Sequence, residues 1–364
     1  MANCSGVNLV TPAWLPDSLP RASPFARVRA YMKKVRLGII GCGSMSRFHG
    51  KIYTTQVPDA EIVGLCDPHA DNLARYQREI FDPIKKKPPT FANYKDMLAK
   101  VDLDAVLIVT PHSQHFEQVS AALDAGCHVL VEKPMVITSE HARKLIKHAA
   151  KKKRILSVAF PGTFTPEYQY IHGLLERGEL GEVITADGFV AQAWKQGTKG
   201  TWRQVPELAG GGMTFDTGAH VFNALLYLAN SRPVEVFAWT NNRGAPVDIT
   251  CSASIRYANG AVGTALINGD AMSGWDEGVR VSFTKAEIQT GIHGGRLQYW
   301  GPDRKPIKYP PVPAVPTLQQ WFIDCVLGRA EDPAPAIWGL RQALLYEALY
   351  ESARTGRPAK VQPE

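Results

Sequence analysis

The sequence lacks the patterns that mark metal centres, disulfide frameworks and membrane spans. Its six cysteines are scattered, with no C-x-x-C pair and no histidine at metal-ligand spacing. We therefore predict no metal site and expect free thiols, which favour a reducing compartment and a cytoplasmic location. No apolar run approaches the roughly 20 residues needed to cross a bilayer, so no membrane partner is expected.

Charge of one sign is not concentrated anywhere in the chain. The formal net charge is +7, and the lysine runs at residues 85–87 and 151–154 are short. Such runs are typical of solvated loops and helix ends, so we expect no nucleic-acid partner. Hydrophobic residues make up 45% of the 364 residues and charged residues 21%. This composition is typical of a globular protein, and the length is sufficient for two domains.

The first 31 residues differ from the rest of the sequence. They contain four prolines and neither a sustained apolar segment nor a twin-arginine pair, so they do not resemble a signal peptide. Met32 precedes the first apolar run and would be a natural start. We interpret residues 1–31 as either a disordered leader or a mis-assigned start.

Short apolar runs alternate with amphipathic stretches between residues 35 and 160. Strands are predicted at residues 35–40, 61–67, 104–110, 128–132 and 155–160, with helices near 46–56, 70–80, 114–125 and 139–151. Apolar strands separated by helices indicate a doubly wound parallel sheet, assigned to residues 32–157.

The pattern changes after residue 180. Five β-rich stretches, near residues 183–194, 234–240, 250–257, 261–268 and 279–285, have few helical gaps and predict a mainly antiparallel sheet. Helices are predicted near 166–177, 218–229, 317–327 and 338–354. Residues 158–364 are therefore assigned to an α+β domain with C-terminal helices.

The stretch GIIGCGSMSR lies where the first strand passes into a helix. Gly41 and Gly43 would let the backbone approach a pyrophosphate, and the helix N-terminus offers unpaired N–H groups. Ser44 and Met45 complete the predicted dinucleotide-binding turn. Ser46 takes the third position of the fingerprint, where glycine or alanine is usual, and is small enough for it. A plain tight turn is the alternative interpretation.

Asp67 follows the second predicted strand, 24 residues beyond Gly43. A carboxylate at this place accepts hydrogen bonds from the adenosine ribose hydroxyls and repels a 2′-phosphate. No arginine follows before Arg75, so we expect NAD rather than NADP. Asp67 would otherwise be a turn or helix-capping residue.

Three longer motifs carry a family resemblance. The stretches DAVLIVTPHSQHFEQVSAALDAGCHVLVEKP, ELAGGGMTFDTGAHVFNALLYL and EALYESARTGRPAKV resemble the Gfo/Idh/MocA family of NAD(P)-dependent oxidoreductases. The resemblance implies a Rossmann domain followed by a domain with a large open-faced sheet. In this family the exposed face of that sheet commonly mediates oligomerisation, so we expect a homodimer or homotetramer.

The resemblance also assigns cofactor contacts beyond the glycine turn. Thr110 and Pro111 match the loop beside the nicotinamide ribose, and Glu132 and Lys133 match the E-K-P signature. Two histidines of the same segment are added to the predicted cofactor site, namely His112 and His115. His112 stands where many relatives carry asparagine, and both histidines have an alternative interpretation as loop or helix-cap residues.

Three residues are predicted to be catalytic, namely Lys133, Asp216 and His220. Oxidation of an alcohol removes a proton from oxygen, and histidine suits that role at neutral pH. A lysine ammonium stabilises the developing alkoxide. Asp216 and His220 are four residues apart and would share a helix face, where the carboxylate would orient the imidazole or bind a second substrate hydroxyl.

These predictions favour an NAD-dependent dehydrogenase that acts on a secondary hydroxyl of a sugar, polyol or cyclitol. Two alternatives stay open: a glycoside hydrolase or lyase that uses NAD in transient redox, and a non-catalytic dinucleotide-binding regulator. Trp194, Trp202 and Arg203 precede Gly210, and the aromatic rings would either stack on a sugar or pack in the core or an oligomer contact.

Overall fold

A computed structural model describes residues 34–364, and the predicted leader lies outside the described residues. The first part alternates strands with helices as the sequence predicts. Its elements are β1 (Val35–Ile40), α1 (Ser44–Gln56), β2 (Ala60–Cys66), α2 (Ala70–Tyr76), β3 (Thr90–Phe91), α3 (Tyr94–Lys100), β4 (Ala105–Ile108), α4 (His115–Asp124), β5 (His128–Glu132), α5 (Ser139–Lys152) and β6 (Leu156–Ala159).

The six strands form one parallel sheet in the order β3-β2-β1-β4-β5-β6. β1 and β4 are buried nearly throughout because helices cover both faces, which explains their unalternated apolar sequences. The strand order reverses between β1 and β4. Ligands of such sheets bind at this point, beyond the carboxyl ends of the strands.

The second part contains a larger sheet and the remaining helices. Its elements are α6 (Pro166–Glu176), β7 (Val183–Gln192), α7 (Trp194–Gly197), α8 (Pro206–Ala209), α9 (Gly218–Ala229), β8 (Pro233–Asn241), β9 (Thr250–Tyr257), β10 (Val262–Asn268), β11 (Trp275–Phe283), β12 (Glu287–Thr290), β13 (Gln298–Trp300), α10 (Leu318–Val326), α11 (Ala336–Thr355) and β14 (Ala359–Lys360).

This sheet has the order β13-β12-β11-β7-β10-β9-β8-β14, and only the pair β7–β10 is parallel. α9 lies against one face, and Gly188 permits its close approach because a Cβ there would lie 3.0 Å from Val221. The opposite face is open, so burial alternates strictly along β9 and β10. The predicted fold class is confirmed.

The differences from the predicted elements are short or weakly patterned segments. β3 has two residues and α3 seven, and the sequence of α3 (YKDMLAK) carries three charges and no sustained apolar period. The predicted domain boundary at residue 157 falls inside β6, which belongs to the parallel sheet.

The five cysteines among residues 34–364 are free and buried. Residues 34–364 contain no cluster of side chains arranged to hold a metal ion. A search of the same residues for a helix with the length and hydropathy of a membrane span found none.

Candidate functional site

A cleft of about 510 Å³ opens at the topological switch point of the parallel sheet. Three loops from the first part of the chain and one segment of the second part form its wall. The lining residues are Gly43, Ser44, Met45, Val109, Thr110, His112, Glu132, Lys133, Trp202, Arg203 and Asp216. Seven of the predicted site residues thus meet Asp216 in one cleft.

The glycine turn has the geometry that a dinucleotide requires. Gly41 has φ +89°, and a Cβ there would lie 2.4 Å from the Val109 carbonyl oxygen, so only glycine fits. Gly43 faces the cleft, and a Cβ there would meet no protein atom within 4 Å. α1 begins at Ser44 without a side-chain cap, so its first N–H groups are free for a phosphate.

Asp67 lies beside this turn and is only 5% exposed. Its carboxylate accepts hydrogen bonds from the Cys42 N–H at 2.8 Å and from the His69 N–H at 2.9 Å. The Asn72 amide donates to both carboxylate oxygens. Asp67 therefore acts as a turn residue that ties β2 to the glycine turn.

His112 and His115 occupy different positions, although both belong to the predicted cofactor site. His112 lines the cleft, with Nδ1 2.8 Å from the Ala209 carbonyl oxygen, and burial lowers its pKa to about 3. His115 does not line it. Its ring nitrogens lie 3.0 Å from the carbonyl oxygens of Pro134 and Thr110, so this buried side chain holds the two loops together.

Lys133 and Asp216 form the central ion pair of the cleft. Lys133 Nζ donates to Asp216 Oδ1 at 2.9 Å and to the Asp216 carbonyl oxygen at 2.8 Å. Burial by itself raises the pKa of Asp216, but the charges of Lys133 and Arg203 outweigh it and hold the pKa well below its usual range. Asp216 therefore stays ionised at neutral pH.

The second oxygen of Asp216 is also bound. Trp194 Nε1 and Arg203 Nε each donate to Oδ2 at 2.9 Å. The Arg203 guanidinium also lies over the Trp202 ring, 4.6 Å from its centroid. Sequence reasoning considered these three residues only as sugar or packing contacts. Nothing in the local pattern indicated that two of them bind the predicted catalytic carboxylate.

Asp216 and His220 do not share a helix face as their spacing suggested. α9 begins at Gly218, and Asp216 lies in the preceding turn, where its N–H donates to the Gly212 carbonyl oxygen. Its side chain points to Lys133 rather than to the imidazole, because the ammonium is the stronger partner for a buried carboxylate. The N-cap of α9 is Thr217, the residue after Asp216.

His220 lies on the first turn of α9, next to a histidine that sequence reasoning missed. The ring centroids of His220 and His293 are 4.4 Å apart. Burial, together with the charge of Lys133 and the neighbouring His293, lowers the pKa of His220 well below its ordinary value. His220 is therefore neutral at pH 7.

Glu132 orients the loop that carries Lys133. Its Oε2 accepts the Lys133 N–H at 3.0 Å, and Oε1 lies 2.9 Å from Nε2 of His49 on α1. Gln319 of α10 in turn lies 2.8 Å from Nδ1 of His49. Burial alone raises the pKa of Glu132, but the His49 hydrogen bond and the nearby charges lower it below its usual value. The lysine backbone is thus anchored to both parts of the chain.

Comparisons with known proteins identify the family. Residues 35–160 match the description "Oxidoreductase family, NAD-binding Rossmann fold", and residues 168–289 match the GFO/IDH/MocA C-terminal domain. The chain is 31% identical over 294 residues to D-xylose 1-dehydrogenase (NADP(+)) of Hypocrea jecorina, which covers 75% of this chain and 70% of that protein. The chain belongs to the Gfo/Idh/MocA oxidoreductase family.

Other members show how far this similarity extends. D-glucoside 3-dehydrogenase of Escherichia coli is 30% identical over 197 residues, which is 53% of this chain and 54% of that protein. The chain thus spans about half the length of that curated relative. A solved levoglucosan dehydrogenase in complex with NADH has a TM-score of 0.78 at 22% identity, covering 91% of this chain and 100% of that one. This structural likeness establishes the shared Gfo/Idh/MocA fold, and the family match confirms the predicted NAD-binding domain.

Proposed function

We propose that this Gfo/Idh/MocA protein is an NAD-dependent dehydrogenase that interconverts a secondary hydroxyl and a ketone on a sugar, polyol or cyclitol. The observation that carries the proposal is the ion pair of Lys133 and Asp216, which lines the dinucleotide cleft and lies close enough to the neutral His220 for both charges to affect its pKa. The named relatives, which include glucoside, xylose and levoglucosan dehydrogenases, support the substrate class.

The residues of the glycine turn fit the dinucleotide, and bound NAD would supply the hydride acceptor. Gly41, Gly43, Ser44 and Met45 would hold the pyrophosphate through backbone N–H groups and the N-terminus of α1. The predicted nicotinamide contacts, Thr110, Pro111, His112 and Glu132, belong to loops at the carboxyl ends of β4 and β5. Asp67 would bind the adenosine ribose.

Lys133 and His220 have different roles at the substrate hydroxyl. An ammonium has three N–H donors, and Asp216 takes two of those on Lys133, which leaves one for the substrate oxygen. This donor stabilises negative charge on that oxygen while the neutral His220 accepts its proton. Asp216 positions Lys133 and, bound also by Arg203 and Trp194, is not free to act as the base.

The test is NADH formation, followed by near-ultraviolet absorbance, on mixing the protein with NAD and a panel of sugars, inositols and glycosides. Lys133→Met removes the charge at nearly constant length and should lower kcat/KM by about 100- to 1,000-fold, the usual loss for one electrostatic stabiliser. Lys144→Met is the matched control, because Lys144 is exposed and pairs only with Glu140 on α5.

The outcomes of this test separate the alternatives. NADH that accumulates with a polyol and is lost in Lys133→Met supports the dehydrogenase. Cleavage of a glycoside without net NADH would indicate transient redox and overturn the proposal. NAD binding without turnover of any panel member would favour a dinucleotide-binding regulator.

We further propose that the open face of the large sheet joins a second copy of the chain. Phe189, Leu266 and Trp239 lie in one row across β7, β10 and β8, with Ser252 of β9 between Leu266 and Trp239, and Leu266 and Trp239 are 57% and 60% exposed. Val262 is 54% exposed on the same face. An apolar row of this kind needs a partner, so we expect a homodimer or homotetramer. The buried free cysteines support a cytoplasmic location.

A further inference from the structure

The loop at residues 291–295 brings His293 to the site from the far end of the large sheet. This loop, Gly-Ile-His-Gly-Gly, follows β12 and precedes β13. The His293 ring lies between His220, at 4.4 Å between centroids, and Trp275 of β11, at 5.7 Å. His293 also lies close enough to Lys133 for that charge to affect its pKa. A second imidazole therefore stands beside the proposed base.

The loop is held in place from both sides. Tyr168 Oη donates to the carbonyl oxygens of Gly291 and Ile292 at 3.2 and 3.3 Å, and the Ile292 N–H donates to the Glu277 carboxylate. Gly294 has φ +78°, and a Cβ there would lie 2.6 Å from Thr165 Oγ1, so the turn requires glycine. The backbone on both sides of His293 is thus anchored, which is how a binding residue is preorganised.

The two imidazoles lack partners within the protein. Among residues 34–364, no hydrogen bond reaches a ring nitrogen of His220 or His293, although both rings are half-buried. Burial and the charge of Lys133 lower the pKa of His293 to about 4, so it is neutral like His220. Each neutral ring offers one donor and one acceptor. Neither ring is among the described side chains whose unpartnered nitrogen or oxygen is sealed from water, so a ligand hydroxyl can reach both, and the pair is suited to a ligand with several hydroxyls.

We infer that His220 and His293 form a two-imidazole subsite that binds hydroxyl groups on two neighbouring carbons of the substrate. The reacting hydroxyl lies at His220 and its neighbour at His293, an assignment that rests on the proposed function. A hydroxyl both donates and accepts, so it satisfies a neutral imidazole in either tautomer. Substrates that lack the neighbouring hydroxyl leave His293 without a partner and bind more weakly.

The subsite is tested by binding, independently of turnover. Ring signals of ¹³C-labelled histidine are recorded by NMR on the full chain with NADH, and are assigned with His220→Gln and His293→Gln. The probes are myo-inositol, D-xylose, D-glucose, 2-deoxy-D-glucose and 3-deoxy-D-glucose. We expect at least one complete polyol to shift both signals. Its deoxy analogue should shift only the His220 signal and should bind about 2- to 13-fold more weakly. This is the loss of affinity expected when one neutral hydrogen bond is removed.

Variants distinguish a binding role from a structural one. His293→Leu should weaken binding of the complete polyol by the same factor and leave binding of the deoxy analogue unchanged. His293→Gln should restore part of the lost affinity. His148→Leu, on helix α5, where the ring pairs with Asp124, is the control and should bind both sugars as the wild type does. An equal loss for both sugars would show that the variant disturbs the fold and not a specific contact, and would overturn the inference.

The outcomes separate this inference from the proposed function. A polyol that binds without moving the His293 signal overturns the subsite, even if NADH forms. The absence of any shift with every probe also overturns it. If both rings shift and no NADH forms with any panel member, the subsite is supported and the dehydrogenase proposal fails.

Discussion

Replacing Gly43 by aspartate places a negative charge in the proposed dinucleotide cleft without disturbing the fold. Gly43 has φ −69° and ψ −169°, a conformation open to any residue, and a Cβ there meets no atom within 4 Å. It is also the N-cap of α1 and has no side-chain cap, so an aspartate there is a favourable capping residue. The variant should therefore unfold at a temperature equal to or above that of the wild type.

The expected loss of NADH affinity follows from Coulomb's law. A carboxylate about 4 Å from a phosphate charge costs about 1 to 4 kcal/mol, between the dielectric of water and that of a protein surface. This corresponds to about 5- to 900-fold weaker binding. Gly43→Asn has the same shape and capping ability without the charge, so the difference between the two variants isolates the electrostatic part.

NADH fluorescence titrations at low and moderate salt measure the affinity, and thermal scans without nucleotide measure stability. Gly41→Ala provides the contrast, because its Cβ would collide with the Val109 carbonyl oxygen at φ +89° and should lower the melting temperature. Equal NADH affinity in the aspartate variant and the wild type would refute the placement of the pyrophosphate at this turn. If the aspartate variant unfolds, the conclusion that a side chain fits at position 43 without a clash is wrong.

Three further outcomes are expected. Asp67→Asn keeps an acceptor for the Cys42 N–H but removes the charge, so the NADPH-to-NADH affinity ratio should rise about tenfold; an unchanged ratio would contradict the role of Asp67. The lowered pKa of Asp216 means that its ionised form stabilises the fold above about pH 3.9, and that this contribution is lost as the pH falls toward the folded-state pKa. Asp216→Asn should therefore lower the free energy of unfolding by about 3 to 5 kcal/mol at pH 7 and by less at pH 3, as measured in thermal scans. An equal loss at both pH values would contradict the ion pair. Leu266→Lys on the open sheet face should dissociate the oligomer in analytical ultracentrifugation, and a monomeric wild type would disprove that interface.

The order and type of the long elements could be predicted because their causes are local. The strands of the parallel sheet are apolar runs bounded by turn residues, and α9 is an apolar helix of 12 residues whose predicted bounds agree with the structure. The two-residue strands β3 and β14 could not be predicted, since so short a segment has no period and pairs only because a neighbouring strand is present.

In the candidate site, too, local features could be predicted and long-range contacts could not. The glycine turn and Asp67 could be predicted because a strand, a tight turn and a helix follow each other directly in the chain. The partners of Asp216 could not, because Lys133 precedes it by 83 residues and only packing decides which charge it meets. Its position just before α9, rather than on it, depends on the hydrogen bond from its N–H to Gly212.

By itself the sequence determined the class of the fold and the glycine turn between β1 and α1, since the alternation of strands and helices and the spacing of the glycines are local features. The tertiary structure alone decided that Asp216 serves Lys133 rather than His220, that Arg203 and Trp194 hold the same carboxylate, and that His293 stands beside His220. These contacts join residues from separate strands and loops, and the ion pairs among them are selective because a buried charge requires a specific partner.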